Sequence, residues 1–156
     1  QVLGKDEVFL YGISTRKKYR NRGNVSDFNM AVRKLNETLN NNTLDQEKCF
    51  YILRVLEKLV PVMKEKFHSP EAKRILYVLF DIGVTACCHI GDSKGAEEYF
   101  EKCKQYAGLV SLDAYLSTRN KLVVGCCDYF EIDRAEELSD ENMRYQKQLT
   151  GFEMIE

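Results

Sequence analysis

Tryptophan is absent from this chain of 156 residues, proline occurs twice and glycine nine times. So little turn punctuation excludes an all-β fold, and the long stretches free of both residues favour helices. No apolar run approaches the roughly 18 residues that a membrane span needs. Gln1-Val2-Leu3-Gly4 does not begin a signal peptide. No membrane partner is expected, therefore, and the expected compartment is the cytoplasm. Catalytic signatures are missing as well: there is no G-x-x-x-x-G-K-S/T loop, no G-x-S-x-G elbow, no H-E-x-x-H and no G-x-G-x-x-G. Only His68 and His89 could serve as neutral-pH bases, and His68 stands beside Ser69-Pro70 in a helix connection. An enzyme is not expected.

Charge of one sign is not in excess. The net charge is −1, which argues against an electrostatic nucleic-acid binder and leaves nucleic acid as a partner only through a further domain. The charge is unevenly placed, with eight Lys/Arg against four Asp/Glu over residues 1–40 and three against eight over 131–156. The basic excess concentrates in Arg16-Lys17-Lys18-Tyr19-Arg20-Asn21-Arg22. Such a run can hold phosphates, dock an acidic partner, or solvate the end of a helix. Six cysteines are present, but Cys87-Cys88 and Cys126-Cys127 are adjacent pairs. Neighbouring helix residues diverge by about 100°, so neither pair is a chelate; they read as reduced packing residues with no metal and no cofactor. Asn24-Val25-Ser26, Asn36-Glu37-Thr38 and Asn41-Asn42-Thr43 have the form of glycosylation sequons, and an asparagine-crowded stretch produces them by chance.

What the chain does contain is a repeat. At an offset of 39 residues, Val84, Cys87, Cys88, Ala96, Glu97, Glu98 and Tyr106 fall on Val123, Cys126, Cys127, Ala135, Glu136, Glu137 and Tyr145. A period of this size means stacked helical units that bury their apolar faces against one another. About seven helices are predicted in a single domain. The first spans Lys5 to Arg20; the second opens at a Ser26 or Asp27 cap and buries Phe28, Ala31, Val32, Leu35 and Leu39. A third follows a Thr43 to Gln46 capping box and buries Phe50, Ile52, Leu53, Leu56, Leu59 and Val60, until Pro61 kinks or breaks it. Ser69-Pro70 opens the fourth, apolar almost all round and so central, which runs to Ile90. Gly91-Asp92 makes the turn into Ser93 to Ala107, and Leu112 to Tyr129 with Asp133 to Leu149 repeat the pair. Residues 1–69 form divergent N-terminal helices, 70–150 two hairpins, and the chain reads as a fragment of a longer protein.

The stretch from His89 to Cys103, with Gly91-Asp92 at the turn, Ala96 four residues on, then Phe100 and Cys103, resembles the centre of a tetratricopeptide repeat (TPR). In the second copy Ala135 is kept, while Phe130-Glu131 stands at the turn and Ser139 at the aromatic slot. The resemblance implies an all-α, right-handed superhelical stack of antiparallel hairpins. It also implies a non-catalytic scaffold whose first helices line a groove for a protein or peptide. Carried over residue by residue, the groove slots are Val78, Asp81, Thr85, Cys88 and His89, then Ser117, Asn120, Val124, Cys127 and Asp128. The carboxylate clamp of chaperone-binding members is not implied, since Asp81 and Thr85 replace its donors. Asn120 is expected to grip a peptide backbone, and unpaired carboxylates at Asp81 and Asp128 to favour a basic or amino-terminal ligand. Similar arrays are the sensing half of bacterial peptide-responsive transcription regulators and arms of signalling ATPases; oligomerisation is left open.

Overall fold

Helix capping punctuates the chain. In the computed structural model, which describes residues 25–39, 45–128 and 132–150, there are six α-helices and no strand. They are α1 (Val25–Leu39), α2 (Gln46–Lys66), α3 (Pro70–Ile90), α4 (Ser93–Tyr106), α5 (Leu112–Asp128) and α6 (Ile132–Thr150), with a short 3-10 turn at Ala107–Leu109. The further helix expected over Lys5 to Arg20, with the basic run to Arg22, lies outside the described residues. Ser69 accepts the Ala72 amide at 3.1 Å with Pro70 behind it, so the α3 start is as predicted. Gly91 ends α3 at φ 83°, a left-handed conformation that favours glycine. Asp92 then caps α4 by accepting the Gly95 amide at 2.8 Å.

Two local expectations fail for physical reasons. The cap of α2 is Asp45, whose carboxylate accepts the Lys48 amide at 2.8 Å, so the helix begins too late for the Thr43 to Gln46 box. Of the kink or break expected at Pro61, the break does not occur, since α2 continues to Lys66. Pro61 sits on the exposed side, as does Glu57 one turn earlier, so water can satisfy the carbonyl that proline leaves without a donor. Phe50 also departs from its expected place. The buried stripe of α2 runs through Cys49, Ile52, Leu56, Leu59 and Met63 at helical spacing, and Phe50 lies about 100° off it, 52% exposed.

α3 is the centre of the packing, touching α1, α2, α4 and α5, as its apolar circumference requires. α3 and α4 form one hairpin, α5 and α6 pack against each other as a second pair, and α4 also touches α5. Ala96 and Ala135, 39 residues apart, are both buried. Leu35, Ile52, Leu56, Leu59, Met63, Leu76, Phe80 and Phe100 are fully enclosed, and each such side chain contributes roughly 1.5–3 kcal/mol by burial. Glycine permits two close approaches. A Cβ on Gly83 would stand 2.5 Å from the Tyr99 ring on α4, and one on Gly125 would stand 2.5 Å from Cys88 Sγ on α3.

Cys49, Cys87 and Cys103 are buried free thiols. Burial, reinforced by the Asp92 carboxylate, pushes Cys87 up to about 12. Burial likewise raises Cys49 and lifts Cys103 well above the usual thiol range. A raised thiol pKa means that, above the ordinary value of 9.0, the unfolded chain binds fewer protons than the folded one. Stability therefore falls as pH rises from about 9 towards 12. The urea midpoint should drop over this range and drop less steeply in Cys87→Ala; equal slopes for the two proteins would contradict the assignment. Cys126 and Cys127 lie in α5, and their side chains are outside the described residues.

Candidate functional site

Six of the ten groove slots that the tetratricopeptide resemblance implied lie in one place. A cleft of about 700 Å³ opens between α3, α5 and α6. Thr85, Cys88 and His89 line it from α3, with Ser117, Asn120 and Val124 from α5. Residues not anticipated there are Asp113, Leu116, Lys121 and Gly125 on α5, and Asn142 and Gln146 on α6. Val124 is 60% exposed, a large apolar side chain facing open space. Thr85 spends its hydroxyl within α3, donating to the Asp81 carbonyl at 3.1 Å. Cys88 Sγ reaches the Lys121 carbonyl at 3.7 Å, and the contact of Cys88 with Gly125 holds the two walls together. Neither Val78 nor Asp81 lines the cleft, and the side chains of Cys127 and Asp128 are outside the described residues.

Asp81 is not the free carboxylate that the sequence suggests. Its Oδ2 accepts from Lys121 Nζ at 2.7 Å, and its Oδ1 accepts from Thr118 Oγ1 at 2.7 Å. Tyr77, buried beside them, lies 2.8 Å from Thr118 Oγ1. Since the Thr118 hydroxyl proton is committed to the carboxylate, Tyr77 is the donor to Thr118. Burial holds the Tyr77 phenol well above its usual range, so that proton is retained. The chain Tyr77, Thr118, Asp81, Lys121 ties α3 to α5 and neutralises Asp81. The expected preference for a basic ligand loses its Asp81 support. Lys121 follows Asp81 by 40 residues, a pairing that no local pattern reveals.

Asn120 is exposed but partnered: its Oδ1 accepts from Asn142 Nδ2 at 2.7 Å. That contact fixes the amide so that its two N–H donors remain for the cleft. Asn142 is itself buried and bifunctional, its Oδ1 accepting from Arg119 Nε at 2.7 Å. Arg119 is the feature that sequence reasoning missed. Its side chain is only 2% exposed. NH1 donates to the Tyr115 hydroxyl at 3.1 Å, and NH2 pairs with Glu141. The guanidinium also lies 5.3 Å from the Phe100 and Tyr145 ring centres and 5.6 Å from that of Tyr115. The one available signal was the repeat itself. Arg119 stands 39 residues on from Phe80, Asn142 from Cys103 and Glu141 from Lys102, so a core aromatic of the first unit becomes a buried cation in the second.

Successive units are also joined at their second helices. Arg134 on α6 donates from Nε and NH2 to the two carboxylate oxygens of Glu97 on α4, at 2.8 and 3.2 Å. Among the described residues no three His, Cys, Asp or Glu side chains converge on a point where a metal ion could sit. No protein-family model, curated protein or solved structure matches this chain.

Proposed function

We propose that this domain is a TPR-like helical scaffold, a right-handed stack of hairpins, that holds an extended polypeptide in the cleft between α3, α5 and α6 and performs no chemistry of its own. The observation that supports this reading best is the convergence there of six of the ten residues that the tetratricopeptide resemblance implied for a groove: Thr85, Cys88, His89, Ser117, Asn120 and Val124. The wall chemistry agrees with it. Amides and hydroxyls at Asn120, Asn142, Gln146 and Ser117 suit the alternating donors and acceptors of a peptide backbone. Val124 offers apolar surface to a side chain. With Lys121 paired to Asp81, which lies outside the cleft, Asp113 is the one acidic side chain among the described wall residues.

Peptides selected from a random displayed library on the purified chain, then synthesised and titrated by fluorescence anisotropy, test the proposal. Asn120→Ala removes the two donors and Ser117→Leu fills the cleft. Each should weaken the selected peptides by about tenfold or more, the 1.4 kcal/mol of a lost hydrogen bond or blocked contact. Ser117→Leu, at an exposed position, should keep its melting temperature, whereas Asn120→Ala should lower it, because the buried Asn142 amide loses its acceptor. Peptides that bind both variants as tightly as the parent would place the polypeptide site elsewhere.

A further inference from the structure

A second cleft, of about 870 Å³, lies between the end of α4, the 3-10 turn, α5 and α6. Its lining charges are unbalanced: Lys104, Arg119 and Arg144 line it against the single carboxylate of Glu141, and Lys104 also pairs with Glu101 at 3.1 Å on the exposed surface of α4. Arg119 is nearly fully buried and yet has hydrogen-bonding capacity left over. A guanidinium carries five N–H donors, and Asn142, Tyr115 and Glu141 accept three of them. Among the described residues nothing accepts the other two. Apolar surface is present as well, in Leu112 and the rings of Tyr115 and Tyr145.

The first unit supplies an internal control. At its corresponding junction, between α2, α3 and α4, the cleft is about 340 Å³ and Phe80 stands in the position of Arg119. Packing at that junction is thus satisfied by an aromatic ring. Both junctions set two outer cations against one carboxylate, Lys64 and Lys102 with Glu57 in the first and Lys104 and Arg144 with Glu141 in the second. What the second unit adds is a buried guanidinium in place of Phe80 and a larger opening, which a core does not need and an anion does.

We propose that this second cleft binds the carboxylate of an acidic side chain in a polypeptide, with a neighbouring apolar or aromatic side chain laid against Leu112 and the tyrosine rings. The volume and the apolar walls exceed what a small free anion occupies, which favours a polypeptide as the source. Lys104 and Arg144 are the exposed contacts and Arg119 the buried one. The proposal is independent of the groove between α3, α5 and α6.

The test is calorimetric titration of the intact chain with a capped Ala-Phe-Glu-Glu-Leu peptide, its Gln-Gln counterpart, sodium acetate and inorganic phosphate. The acidic peptide should bind, the glutamine peptide at least tenfold more weakly, and added salt should reduce the affinity. The double variant Lys104→Gln, Arg144→Gln, both exposed positions, should lose tenfold or more while keeping its melting temperature. Ser117→Leu, in the other cleft, should leave binding unchanged. Absence of binding, equal binding of the glutamine peptide, or an unaffected double variant would overturn the proposal. Acetate or phosphate binding as tightly as the peptide would reduce the cleft to a small-anion site and overturn the polypeptide assignment. A loss on Ser117→Leu would place the acidic peptide in the first cleft and do the same.

Discussion

Replacing Arg119 by alanine is expected to lower the unfolding free energy by about 3–5 kcal/mol, the range for breaking a buried ion pair. Three losses combine in that figure. The Asn142 amide oxygen and the Tyr115 hydroxyl lose their donor inside the protein; the space between the rings of Phe100, Tyr115 and Tyr145 is emptied; and Glu141 loses its counter-ion. Glu141 is 34% exposed and can rehydrate, so the lower half of the range is the better expectation. Urea unfolding followed by circular dichroism at 222 nm measures it. The triple variant Arg119→Phe, Glu141→Lys, Asn142→Cys restores at this junction the residue types of the first unit. It should recover most of the loss, because replacing a buried ionic group with apolar packing is often neutral or stabilising. A single variant as stable as the parent would mean that the buried arginine contributes nothing to the fold.

Gly83→Val should destabilise the α3 to α4 hairpin by about 2–3 kcal/mol, the upper part of the usual overpacking cost. A Cβ at this position would meet three atoms of the Tyr99 ring at 2.5–2.7 Å, including the ring carbon nearest the backbone. A ring approached at its root cannot swing clear, so the helices must part. Gly83→Ala makes the sharper test, since glycine to alanine within a helix otherwise gains about 1 kcal/mol. A net loss for that variant therefore reports the clash alone. In a Tyr99→Ala background the same substitution should turn neutral or stabilising. A Gly83→Ala protein that melts above the parent with Tyr99 in place would refute the close approach.

Helical content, the starts of α3 and α4 and the turn between them were legible in the chain, because capping is local chemistry. Ser69 followed by Pro70, and Gly91 followed by Asp92, satisfy or end backbone hydrogen bonding within a few residues of themselves. The 39-residue echo was legible for a similar reason. Ala96 and Ala135 answer the same demand for a small buried residue, and six of the slots that the tetratricopeptide resemblance implied lie around one cleft. Phe50 was misjudged, because the outcome depends on which side of α2 meets solvent, and only its neighbours decide that.

Pairing across the repeat lies beyond local pattern. Asp81 is expected as an unpaired groove carboxylate until α3 and α5 bring Lys121 within 2.7 Å of it. No local feature of the sequence singles out Arg119; its burial depends on Glu141 and Asn142, which follow it by 22 and 23 residues. Spacing within a helix decides caps, turns and the apolar stripe, because those interactions span a single turn. Which charges are neutralised, which glycine is pressed against a ring and where two clefts open are set by the docking of one helix on another, since there each group's electrostatic and steric environment is made by residues distant in the chain.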